Sequence, residues 1–194
     1  MEGFKSASLA DELPHRITHV FVEKAADAQE TKPIYEVRSA GFQNMGSLKY
    51  FEFENTNLRY VGSGGFQNCG LDATMLTLHY CPLKVAGYMA FLGGITSNIK
   101  TSLILPSSLT MVEDGAFRNL YCAKGTALTI GSEQDLSLLD LSRGDGYRKF
   151  HQNDDTSFGT VTFYSAVHDS GDLINGIYNV QDFFGTNMES FAVH

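Results

Sequence analysis

The sequence predicts an α/β repeat solenoid, a right-handed coil that lays about seven short strands into one parallel sheet and carries short helical turns on the opposite side. Three observations predict it. The hexapeptide Gly65 to Gly70, GFQNCG, restates Gly41 to Gly46, GFQNMG, and looser copies follow around Phe91 and Phe117. The four anchor phenylalanines, Phe42, Phe66, Phe91 and Phe117, stand 24, 25 and 26 residues apart, a period that marks stacked units. Between anchors runs a pair of buried-type residues in period two, and its second member precedes the next anchor by 13, 13 and 12 residues in the first three cases.

The strands follow from that second rule. Phe51 and Phe53 alternate with Tyr50, Glu52 and Glu54, as a strand with one buried face requires. Equivalent pairs are Leu76/Leu78, Leu103/Leu105 and Leu128/Ile130. Extending the register outward adds Val20/Val22, Val161/Phe163 and Phe191/Val193, with Phe150 as a worn anchor before Val161. Strands joined by crossovers of about twenty residues in one register run parallel, because antiparallel neighbours are joined by tight hairpins, and such coils are right-handed. A single unit buries too little to offset its backbone entropy, so its stability comes from neighbours.

The anchor segment then has a role. Its phenylalanine fills the space between units, and small residues before it, such as Ser63-Gly64-Gly65 or Gly115-Ala116, permit close backbone approach. Asn44, Asn68 and Asn119 are placed to hydrogen-bond the turn that ends the element. Met45, Cys69 and Leu120 form a second apolar spine, and the third copy, with Gly93 and Gly94 at both positions, is expected to pack more loosely. One continuous domain results: a cap and degenerate first repeat over 1–38, four clear repeats over 39–130, and degenerate closing repeats with a cap over 131–194.

The stretches LILPSSLTMVEDGAFRNL (Leu103 to Leu120) and LRYVGSGGFQNCG (Leu58 to Gly70) resemble the BspA-type, or treponemal-type, leucine-rich repeat. That unit reads approximately L-x-x-L-x-L-P-x-x-L/V-x-x-I-G-x-x-A-F-x-N-C. The resemblance covers Ser39 to Ile130, and the tail ending FFGTNMESFAVH is similar to closing repeats of the family. It implies the leucine-rich-repeat coil and a binding role, since such repeats serve in surface adhesins, host-binding proteins and viral or phage particles.

Composition narrows the partners. Twenty-two acidic against fourteen basic residues give a net charge of −8, which repels phosphate backbones and anionic lipid. Nucleic acid is therefore not an expected partner, and no apolar run approaches the ~18 residues of a membrane span. The N-terminus lacks the basic and apolar regions of a secretory signal. That favours a component of a virion or phage particle, within a multi-protein assembly, over a secreted or cell-surface bacterial adhesin that binds host protein or glycan.

Catalytic machinery has no clear candidate. The six histidines form no metal-ligand spacing, and Cys69, Cys81 and Cys122 read as buried free thiols, so no metal, cofactor or disulfide framework is expected. His151 to Asp155 and His168 to Asp172 place carboxylates near histidine, the only footing for a hydrolase, but read more simply as solvated loops. What remains is a surface. Phe21, Tyr50, Glu52, Glu54, Thr77, His79, Ile104, Thr162 and Tyr164 alternate with the buried pairs and are predicted to line the outer face of the sheet, together with His19, Glu23, Ser102 and Thr129. Aromatic and hydrogen-bonding side chains on a rigid face suit protein or glycan recognition.

Overall fold

Short extended segments account for nearly all the regular structure in the computed structural model, which describes residues 17–22, 36–53, 58–71, 81–94, 102–120, 124–141, 149–150, 158–169, 183–184 and 188–194. The strands are β1 (His19–Val22), β2 (Glu36–Val37), β3 (Tyr50–Phe53), β4 (Tyr60–Val61), β5 (Val85–Ala86), β6 (Ser102–Leu105), β7 (Met111–Val112), β8 (Thr126–Ile130), β9 (Phe158–Phe163) and β10 (Ser190–Val193). They form three hydrogen-bonded groups, β1-β3, β6-β8-β9-β10 and β2-β4-β5-β7. Every pairing among these strands is parallel.

Register follows the apolar alternation. Val22 lies opposite Phe53, and Leu105, Ile130, Phe163 and Val193 fall in one row across four strands. Slipping any of these strands by one residue would turn its apolar set outward. Leu103, Leu105, Leu128, Ile130, Val161 and Phe163 are buried, while Ser102 and Ile104 between them are exposed. One irregularity, between Thr126 and Ala127, shifts the register of β8 on β9. The expected strand at Leu76/Leu78 lies outside the described residues.

The anchor segments are not helical. Among the described residues only Phe183 and Phe184 have helical geometry. The expected helical turns are replaced by chains of β-turns, in which Gly41, Gln43 and Met45 amides bond back to the carbonyls of Arg38, Ala40 and Phe42. The intervening amides of Ala40, Phe42 and Asn44 instead donate to Ser63, Gly65 and Gln67 of the next segment, each at 2.8 Å. The same alternation links the Gly64, Phe66 and Asn68 amides to Tyr88, Ala90 and Leu92. The physical reason is in the dihedrals: Ala40 and Asn44, Gly64 and Asn68, Met89 and Gly93, and Gly115 and Asn119 all have positive φ. A left-handed residue two places before and two places after each phenylalanine blocks right-handed helix propagation.

These segments deliver a column of rings. Phe42, Phe66, Phe91, Phe117, Phe150 and Phe184 stack in succession with centroids 5.5, 5.5, 5.1, 5.4 and 5.2 Å apart. Phe42, half-buried at one end, is met edge-on by Phe51 at 4.8 Å, and Phe191 lies against Phe184 at the other. The four internal rings are fully buried. Each contributes about 1.5–3 kcal/mol by burial, with about 0.5–1.5 kcal/mol more per ring pair.

The third copy is tight, contrary to the expectation that its glycines loosen it. Phe91 is fully buried, and a Cβ on Gly94 would lie 2.3 Å from the Phe66 carbonyl oxygen. Glycine there permits the close approach that the segment's hydrogen bonds require. Gly93 keeps the left-handed conformation of Asn68, whose amide group donates to Asn44 Oδ1 at 3.0 Å. Beneath this pair Gln43 Nε2 donates to Gln67 Oε1 at 2.7 Å.

Candidate functional site

Strand alternation exposes outer surfaces on β1-β3 and on β6-β8-β9-β10. On β1-β3, His19 and Tyr50 are register partners with rings 4.2 Å apart, and Phe21, 55% exposed, stands opposite Glu52. On β6-β8-β9-β10, Ile104, Thr129, Thr162 and Ala192 form one outward row. Ser102, Ala127, Thr160 and Ser190 form the next, where Ser190 Oγ donates to Thr160 Oγ1 at 3.1 Å. Tyr164, at the end of β9, stacks on His194 at 5.1 Å.

Of the predicted face, the structure thus brings Ile104 and Thr162 into one row with Tyr164 beside it, and groups Phe21 with Tyr50 and the Glu52 position. Phe21 and Ile104 are exposed, whereas Tyr50, Thr162 and Tyr164 are half-buried. Glu54, Thr77 and His79 lie outside the described residues. The outward rows of β6-β8-β9-β10 carry no acidic or basic residue, although the chain as a whole has a charge of −8.

Sequence reasoning missed a second surface. β2, β4, β5 and β7 align Glu36, Tyr60, Val85 and Met111 on their outer side while Val37, Val61, Ala86 and Val112 point inward. Tyr60 and Met111 are 44% and 50% exposed, and Tyr88 beyond β5 is 46% exposed. Here the strands bound a shallow depression of about 380 Å³, with Gly62 and Gly87 in it and Glu36 and Glu113 among its lining. Glu113 Oε2 accepts the Tyr88 amide at 2.7 Å. The available signal was the slot before each buried valine or alanine, filled by Glu36, Tyr60, Val85 and Met111. A smaller apolar group, Leu136, Leu138 and Val167, flanks the bridge between Ser137 and Ser165 and was likewise not foreseen.

Several titratable groups are buried or partly buried within the frame. The His168 side chain is 7% exposed; its Nε2 accepts the Leu141 amide at 3.1 Å and lies 3.4 Å from Asp140 Oδ1. Ser165 Oγ accepts the amides of Val167 and His168, closing that corner. Asp172 and His151 to Asp155 lie outside the described residues. Lys149 is 3% exposed, and burial lowers its pKa against the opposing fields of Asp140, Asp114 and Glu113. Cys69, buried, donates Sγ–H to the Phe42 carbonyl at 2.8 Å, and desolvation pushes its thiol up to about 12. Cys81, half-buried, is raised by the same cause, and Cys122 lies outside the described residues. Among the described residues no group of three or more His, Cys, Asp and Glu side chains is placed to hold a metal ion, and no helix is long and apolar enough to cross a membrane.

Compared with family models, curated proteins and solved structures, the chain has no match in any of the three.

Proposed function

We propose that the chain is a BspA-type leucine-rich-repeat solenoid acting as a non-catalytic protein-interaction module, a structural or attachment component of a larger surface, virion or phage assembly. The observation that carries this reading is the outward row Ile104-Thr129-Thr162 on a four-stranded parallel sheet, uncharged and backed by buried residues. Such a rigid face loses little entropy on association, and repeat proteins commonly recognise partners through stacked strands. Phe21 extends the apolar character to β1. A photo-crosslinking residue at position 21, 104 or 162 is expected to capture one defined macromolecular partner, in preference to the same residue at 133. Equal capture from all four positions contradicts the reading.

A second version, a surface adhesin for host protein or glycan, draws on the hydroxyl groups of Thr129, Thr160, Thr162 and Ser190 on the same face. Retention on an uncharged glycan, lost on Thr162→Val, distinguishes it.

A further inference from the structure

The second sheet carries a recognition element of different chemistry. Its depression is bounded by two exposed carboxylates, Glu36 in β2 and Glu113 just after β7. Between them lie Tyr60 and Val85 on one side and a floor of Gly62 and Gly87. The floor is bare for a structural reason, because a Cβ on Gly62 would meet the Ser39 amide nitrogen at 2.6 Å. The exposure of Tyr60 in the wall has no such reason: the residue is 44% exposed. Arg38, Arg59 and Lys84, the neighbouring basic residues, are exposed and are not among the residues lining the depression.

We infer that this trough is the docking site for an extended basic peptide segment of a partner, laid across the strands, with two cationic side chains four residues apart. Charge and spacing both argue for it. Glu36 and Glu113 stand three strand intervals apart across the sheet, at ~4.8 Å each, and two residues apart along it, at ~3.3 Å each, which places their backbone positions about 16 Å apart. An extended chain rises about 3.3 Å per residue, so residues i and i+4 stand about 13 Å apart on the same face. With long lysine or arginine side chains spanning the remaining distance, one cation reaches Glu36 and the other Glu113, whose Oε2 also accepts the Tyr88 amide. Residue i+2, also on that face, meets the Tyr60-Val85 wall above the glycines, where a large apolar or aromatic side chain fits. A cation beside Tyr60 gains further from the ring face, and the net charge of −8 speeds encounter with a basic segment. The inference rests on the reading of the protein as a recognition module, but it uses a different surface from the one proposed above.

The test is fluorescence anisotropy with a labelled heptapeptide, Gly-Lys-Ser-Tyr-Ser-Lys-Gly, against the full chain. Binding is expected to weaken with salt, about threefold with Glu36→Gln or Glu113→Gln and about tenfold with both, as partly exposed ion pairs do. Glu113→Gln keeps an acceptor for the Tyr88 amide, so the turn is retained. Tyr60→Ser also weakens binding, Glu133→Gln does not, and a peptide with its lysines two residues apart loses the advantage of the second carboxylate. Binding that is indifferent to the Glu36 and Glu113 variants, or to lysine spacing, overturns the inference. So does preference for an uncharged oligosaccharide at Tyr60. A partner whose capture is lost on Phe21→Ser or Ile104→Ser but kept in the double glutamine variant leaves the recognition module standing and removes only the trough.

Discussion

The rings of Phe117 and Phe150 stack at 5.4 Å with planes 3° from parallel, although the chain between them is longer than between any two earlier anchors. Position in the column is therefore set by ring packing and by the bond from the Phe117 amide to the Lys149 carbonyl, at 2.9 Å, and not by a fixed loop length. Closing a longer loop costs little extra entropy.

Phe91 sits between Phe66 at 5.5 Å and Phe117 at 5.1 Å, fully buried. Phe91→Ala should cost about 3–5 kcal/mol in denaturant unfolding. Phe42→Ala, at the half-buried end, should cost roughly 1–2 kcal/mol. Equal losses at the two positions would contradict a column with an interior and an end.

Two glycines with similar sequence surroundings should respond in opposite ways. A Cβ on Gly70 would lie 2.1 Å from the Gly46 carbonyl oxygen, whereas a Cβ on Gly46 meets nothing within 4 Å. Gly70→Ala should destabilise by about 1–3 kcal/mol or more. Gly46→Ala should be neutral or stabilising by about 0.4–1 kcal/mol. Thermal unfolding of both variants checks the contrast.

Ala40 is exposed yet has φ of 56°, a conformation that costs an L-residue about 1–2 kcal/mol. Ala40→Gly should therefore raise stability by roughly 0.5–1 kcal/mol after the entropic cost of glycine, the reverse of the usual direction. Asn68→Gly, at φ 55°, should be nearly neutral because relief of the backbone offsets the lost bond to Asn44. A loss at Ala40→Gly would mean that this turn is not left-handed.

Burial raises the Cys69 thiol from 9.0 to about 12, so the folded chain holds a proton that the unfolded chain releases above about pH 9. Stability from this group is fully present below pH 9 and is lost as pH rises towards about 12. Cys69→Ser removes that slope, so the stability difference between wild type and variant should change across this window and stay constant from pH 6 to 8. Native Cys69 should also resist alkylation at pH 8.

What the sequence made legible was set by how many residues each element offers. Val20 and Val22 around Phe21, or Leu103 and Leu105 around Ile104, suffice to orient a strand, and these strands pair in the register the alternation implies. β4 and β5 are two residues each, too short to display a period, so the second sheet and the trough between Glu36 and Glu113 were not legible. The turns were misread for another reason: Ala40 and Met89 hold positive φ without being glycine, and that conformation follows from hydrogen bonding to the next segment, which local propensity does not encode. For the candidate face, alternation located Phe21 and Ile104 on the outside, but the half-burial of Tyr50 and Tyr164 comes from their ring partners His19 and His194.

The most direct measurement of the central claim is a set of ring-to-ring nuclear Overhauser effects in phenylalanine-labelled protein. Contacts linking Phe66 to Phe91, Phe91 to Phe117 and Phe117 to Phe150, with none between Phe66 and Phe117, are the expected result. A Phe91 ring without contacts to Phe66 and Phe117, or one freely accessible to a soluble paramagnetic probe, would contradict the stacked architecture.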